Sequence, residues 1–279
     1  MAVIETLTVM EKETKLVDNE ISVIIMLEKK FGEFMKSYDL KIWGKKMWEW
    51  VALACDGYMI KTIPCTPESD VLTLIKPLLT ESKYTVVLYS DTPLFKRQTL
   101  NEIMTYVRQR DLNVLPLKRG YVFNTNYIRA AESIRALVQE DFGTDDFTVV
   151  EDYAGLSKVS RILKNRIISF HLASGVQICD TSSTFIDADV MIEKGTVLEP
   201  NTYIKGASFI GKNCHIEFGS VIENSIISDE CIIKSSYISE SRISEKTVVG
   251  PYESVVAKSS WRRAYVFSSR AWESRKKIF

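Results

Sequence analysis

Between Thr184 and Ile222 an aliphatic residue returns at every sixth position: Ile186, Ile192, Leu198, Ile204, Ile210, Ile216 and Ile222. Two positions before each stands a mostly small residue, namely Thr184, Val190, Thr196, Thr202, Ser208, Cys214 and Ser220. An α-helix repeats every 3.6 residues and a strand every 2, so neither accounts for this spacing. A triangular coil does: each six-residue stretch is one flat face, its aliphatic side chain points inward, and three faces complete a turn. Gly195, Gly206, Gly211, Gly219 and the Pro200-Asn201 pair fall near the corners, where a tight bend favours Gly or Asn. After Ile222 the inward candidates become Ile227, Ile233, Ile238, Ile243 and Val249, at spacings of five or six. The coil is expected to run from Thr181 to about Tyr252, roughly twelve faces or four turns of parallel β-helix.

The first half has a different rhythm. Residues 21–27 (ISVIIML) and 85–89 (TVVLY) have the continuous apolar character of buried strands. Segments 46–55, 68–80, 97–110 and 127–140 have helical spacing, with Leu100, Ile103, Met104 and Val107 on one face of the third. Alternating strands and helices predict an α/β domain with a mainly parallel sheet and ligands at the C-terminal ends of its strands. Asp91, in VVLYSDTPL, stands at such an end. A carboxylate there suits Mg²⁺ held against a phosphate, and it equally suits a cap on the following turn. A basic helix over 157–171 leads into the coil, with Val159, Ile162, Leu163, Ile167 and Phe170 on its packing face.

Bulk properties exclude several classes. Thirty-six basic residues balance thirty-six acidic ones, so no overall field draws in nucleic acid or an anionic membrane. No apolar run has the length of a membrane span, and the acidic start MAVIETLTVMEKETK lacks the pattern of a signal peptide. Cysteines 55, 65, 179, 214 and 231 form no CxxC pair, which predicts reduced thiols in a cytoplasmic protein. The last twenty-two residues are basic, with Trp261, Tyr265, Phe267 and Trp272 interleaved. Such a tail suits RNA, a membrane surface or docking on its own domain, and its partner is not readable.

The ordered segments RILKNRI, HLASGVQICD, STFIDADVMI, VLEPNTYIKGASFIGKNC, SVIENSIISD and VVGPY cover 161–252 almost without a gap. Together they resemble the family of bifunctional UDP-N-acetylglucosamine pyrophosphorylases and glucosamine-1-phosphate acetyltransferases. GKKMWEWV, YSDTPL followed by QTL, and GYVFNT resemble that family's nucleotidyltransferase domain. The resemblance implies a reduced Rossmann-like nucleotidyltransferase domain followed by a left-handed parallel β-helix of hexapeptide repeats. The segments are then an N-terminal extension (1–20), the α/β domain (21–156), a connecting helix and linker (157–180), the β-helix (181–252) and a basic aromatic tail (253–279). Coils of this kind pack side by side, so a homotrimer through the β-helix is expected.

The resemblance also shows what is altered. The family's glycine-rich loop, roughly AAGxGTRM, aligns with MLEKKFGEFM. Gly32 survives, while Lys30 replaces the first glycine, and Glu33 and Phe34 replace the threonine and the catalytic arginine. A carboxylate beside a triphosphate repels it, and losing the arginine removes on the order of 10²–10³ in rate. The uracil-reading segment is replaced by TIPCTPESDV, and about fifty sugar-holding residues are missing between Asp111 and Gly120. Asp91 matches the family's magnesium aspartate, Lys41 its nucleotide-contacting lysine, and Glu151 falls where a second magnesium ligand, an asparagine, is expected. Gly32, Lys41 and Asp91 are therefore the candidate nucleotide contacts, and Asp91 and Glu151 the candidate metal ligands. No cofactor is required by this reading, and Mg²⁺ is left open.

In the acetyltransferase half, the coil reaches the family's VGPF motif at Val249-Gly250-Pro251-Tyr252 and is followed by ESVVAKS, with no residue matching the histidine base. His215, one position before an inward isoleucine, is expected on the surface. No catalytic residue is assigned. The functional expectation is a relative without either activity, serving as a structural or regulatory oligomeric module. The alternative is a residual UDP-sugar or nucleotide site, or a nucleotidyltransferase of cell-envelope precursor synthesis.

Overall fold

The computed structural model describes residues 20–29, 37–135, 140–143 and 145–257. Gly32 and the basic aromatic residues beyond 257 lie outside them. The first half is a five-stranded sheet of β1 (Ile21–Glu28), β4 (Met59–Cys65), β5 (Tyr84–Tyr89), β6 (Val114–Leu117) and β7 (Gly120–Asn124). Its order is β4-β1-β5-β7-β6. β1 runs parallel to β4 and β5, whereas β7 runs antiparallel to both β5 and β6. The expectation of a mainly parallel sheet therefore holds for one half only. A tight hairpin, Leu117 paired with Gly120, takes the place of a crossover and forces the last two strands to alternate in direction.

Strand β1, flanked by β4 and β5, is buried on both faces from Ile21 to Met26, which is why it reads as an almost continuous apolar run. Helix α1 (Met47–Ala54) buries Met47, Trp50, Val51 and Ala54, and α2 covers Val71–Ile75. Helix α3 (Arg97–Arg110) buries the predicted face, Leu100, Ile103, Met104 and Val107. Helix α4 occupies Thr125–Ala130, shorter than the helical spacing over 127–140 suggested. Asn124 caps its start by accepting from the amides of Asn126 and Tyr127, and Ala131 leaves helical geometry for extended backbone. Helix α5 (Tyr153–Ala173) starts earlier than predicted, because Asp152 accepts from the Gly155 amide and nucleates an extra turn.

From Gln177 to Val256 short strands visit three parallel sheets in rotation, sheets of five, five and four strands. One sheet stacks Ile186, Ile204, Ile222 and Ile238; a second stacks Leu198, Ile216, Ile233 and Val249; the third stacks Ile192, Ile210, Ile227 and Ile243. Every aliphatic position picked out by spacing is buried, including those after Ile222. The stack begins at Gln177–Ile178, before Thr181, and its last strand is Ser254–Val256, after Tyr252. Corners use left-handed backbone at Gly195, Gly206 and Gly219, and also at Asn201, Asn213 and Asn224. Among them Asn224 donates structure to the turn below, its side-chain oxygen accepting from the Ala207 amide at 3.1 Å.

The two halves share one continuous apolar core in which Ile42, Met47, Trp50 and Leu94 meet the α5 face and the coil interior. A small hairpin, β2 (Lys41–Ile42) and β3 (Lys45–Lys46), clamps the join. At its tip the Trp43 indole donates to the Ser160 carbonyl at 2.7 Å and stacks on Phe185 with ring centroids 5.8 Å apart. Lys45 pairs with Asp189 at 2.8 Å. A second tie is Asp146, which accepts from Thr99 and pairs with Lys96 at 2.7 Å, while Arg166 donates to the Leu94 carbonyl.

Candidate functional site

At the C-terminal edge of β1 and β5 lies a cleft of about 630 Å³. Glu28 closes β1, and Asp91 follows β5 two residues after Tyr89; both carboxylates are buried. The loop that carries Asp91 is fixed by its backbone: the Ser90 amide donates to the Met26 carbonyl and the Val150 amide donates to the Asp91 carbonyl. The second of these bonds brings Glu151 to the rim beside Asp91. Cys65, Thr66, Ser69 and Tyr121 complete the wall.

The group that organises the cleft is Arg119. Its Nε donates to both oxygens of Asp91, at 3.1 and 3.3 Å, and one terminal nitrogen donates to Asp91 at 2.6 Å and to Glu28. Its guanidinium carbon lies 4.0 Å from the centroid of the Tyr89 ring, a cation–π contact. Arg119 is half of the two-residue turn Lys118-Arg119, and Gly120 holds that turn against β5. At Gly120 φ is +136°, and a Cβ would overlap the Val87 carbonyl oxygen, so only glycine fits there. Burial pushes the Arg119 pKa down and Glu151 draws it back up. Burial likewise raises the Cys65 thiol to about 11 and the Tyr89 phenol to about 12, with Asp91 adding to both. All three side chains are in their protonated forms near neutral pH.

Of the residues proposed from sequence, Asp91 and Glu151 line this one cleft. Lys41 does not line it; it lies in a separate groove with Trp43, Tyr153, Ser160 and Tyr203. The reason is the clamp: the hairpin that carries Lys41 is committed to α5 and the coil. Gly32 falls outside the described residues. Glu28 and Arg119 were not foreseen. A Glu ending a strand and an Arg-Gly pair in a tight turn are too common to single out, and only the sheet order brings them to Asp91. His215 faces outward as expected, its Nε2 2.8 Å from Glu199.

The Mg²⁺ implied by the resemblance does not fit this arrangement. Both Asp91 oxygens already accept from a guanidinium, and a dication on Asp91 would stand against that charge. With Arg119 in place, no group of three His, Cys, Asp or Glu side chains among the described residues is arranged to hold a metal ion.

Comparison with known proteins agrees with the sequence motifs. The chain is 29% identical to the bifunctional protein GlmU of Clostridioides difficile (strain 630), over 67% of its own length and 55% of that protein. It is 35% identical to GlmU of Listeria monocytogenes serotype 4b (strain CLIP80459), over 43% of this chain and 26% of that one. Against GlmU of Clostridium kluyveri the identity is 37%, over 35% and 21%. The chain is GlmU-like. The chain spans about half or less of the length of these relatives. No family model matches it. A solved structure of CMP:2-keto-3-deoxy-manno-octonic acid synthetase complexed with CTP aligns at TM-score 0.41 and 11% identity, over 52% of this chain and 99% of that one. A likeness of that size carries no argument about the GlmU-like chain. No helix among its described residues is long and apolar enough to cross a membrane.

Proposed function

We propose that this sugar-nucleotidyltransferase relative is a cytoplasmic structural or regulatory module without pyrophosphorylase or acetyltransferase activity. Its coil is read as a left-handed β-helix that assembles three copies side by side. The observation that carries this reading is the charge of the cleft. Among the described residues that line it, the carboxylates Glu28, Asp91 and Glu151 outnumber the one lining cation, Arg119, and that guanidinium is already engaged by Asp91 and Glu28 rather than open to a triphosphate. The loop residues Glu33 and Phe34, which stand where the family has threonine and arginine, support the same conclusion. Outward apolar side chains on two coil faces, Met191, Phe209 and Ile226 in one row ended by Arg242 and Val197, Ile232 and Val248 in another interrupted by His215, support side-by-side packing.

A second reading, a residual UDP-sugar site, is favoured by the size of the cleft and by Tyr89 and Tyr121 on its wall. Isothermal titration with UTP and with UDP-N-acetylglucosamine, each with Mg²⁺, separates the two. No heat at millimolar ligand, and no pyrophosphate release, supports the non-catalytic module. Binding that vanishes in Asp91→Ala overturns it in favour of the second reading. Sedimentation equilibrium tests assembly: three times the chain mass of 31.9 kDa is expected, and a monomer removes that part of the proposal.

A further inference from the structure

We propose that the Arg119 guanidinium is a built-in replacement for a divalent cation, so that the cleft bounded by Glu28, Asp91 and Glu151 is a metal-independent site. Buried carboxylates at the ends of adjacent parallel strands need a cation. Among the described residues the guanidinium of Arg119 supplies such a cation, covalently part of the chain. It reaches Asp91 through two nitrogens and Glu28 through one of them, so it bridges the two strand ends as a metal ion would.

Three independent features hold Arg119 in place. The hairpin turn is only two residues long, which leaves the guanidinium little freedom to swing away. Gly120 lets the turn sit closer to β5 than any other residue allows. The Tyr89 ring covers one face of the guanidinium. A divalent ion approaching Asp91 must therefore expel a tethered, hydrogen-bonded and stacked cation, and then stand beside it. Competition by the tethered charge wins, because its local concentration is fixed by the fold. The inference goes beyond the proposed function and does not depend on it, since metal uptake is measured without nucleotide.

The test is Mn²⁺ binding to the full chain, followed by electron paramagnetic resonance of the free hydrated ion. The wild-type protein is expected to leave the Mn²⁺ signal unchanged with both components at on the order of 0.1 mM. Arg119→Ala is expected to take up one Mn²⁺ per chain, at least roughly tenfold more tightly than wild type, and to lose it again when combined with Asp91→Asn. Should Arg119→Ala fail to fold, Arg119→Ala/Glu28→Gln removes one charge of each sign and is expected to take up Mn²⁺ in the same way. Mn²⁺ uptake by the wild type that disappears in Asp91→Asn overturns the proposal. So does the absence of uptake by an Arg119 variant whose far-ultraviolet circular dichroism matches wild type.

Discussion

Arg119 and Asp91 are twenty-eight positions apart in the chain, yet they meet through three N–H donors-to-oxygen contacts, the shortest at 2.6 Å. The pair is built by the sheet order. β7 inserts between β5 and β6, so the β6–β7 turn lands at the C-terminal end of β5 where Asp91 emerges. Glu28 joins from β1 on the other side.

Arg119→Ala removes a guanidinium shared by two buried carboxylates, Asp91 and Glu28. Arg119→Ala should destabilise the protein by about 3 kcal/mol, the lower end of the range for breaking a buried pair, because Arg119 keeps 28% side-chain exposure. Adding Glu28→Gln should recover about half of that loss. Urea denaturation of the two single variants and the double variant measures the coupling, and additive losses would show that Glu28 and Arg119 do not interact.

Gly120→Ala places a methyl group against the Val87 carbonyl at a backbone angle unsuited to alanine. A loss of about 2 kcal/mol or more is expected, with Lys118→Ala within about 0.5 kcal/mol of wild type as the control. Thermal melts of both variants decide it, and a Gly120→Ala protein as stable as wild type would contradict the close approach.

The coil should be as well packed where its spacing is uneven as where it is regular. Ile204 and Ile233 are both fully buried, one in each part. Ile204→Ala and Ile233→Ala should each cost about 2–5 kcal/mol and agree within about 1 kcal/mol. A much smaller cost at Ile233, read by chemical denaturation, would mean that the later turns are loosely stacked.

The five cysteines are free, and Cys179 alone is exposed. A thiol reagent at pH 8 should therefore modify one thiol rapidly in the folded protein and five after unfolding. Burial raises Cys65 and Cys214 to about 11, above the ordinary value of 9.0. The folded state thus holds these protons more tightly than the unfolded chain. Their contribution is complete below pH 9 and is lost as pH rises to about 11, with a slope of at most about 1.4 kcal/mol per pH unit for each thiol. Cys214→Ser should flatten that decline in pH-dependent melts, because Ser208 and Ser220 already occupy equivalent buried positions.

Much of the coil was legible because its information is local. Each face needs one inward aliphatic residue and a bend, and both recur within six positions, so Ile186 through Val249 were identified by counting. Helix α3 and strands β1 and β5 were legible for the same reason, their apolar patterns being continuous over their own length. Less was visible where a neighbour decides the outcome. Helix α4 stops at Ala130 although helical spacing runs on, and Lys41 is diverted to the coil by the Trp43 clamp.

The sequence by itself determined a stacked parallel coil behind an α/β half, and it located Asp91 at the end of a strand. Only the tertiary structure decided what Asp91 faces. Strand order, the two-residue turn and the space left by Gly120 are relations between segments remote in sequence, and the electrostatics of a buried carboxylate are set by whichever charge those relations bring within a few ångströms.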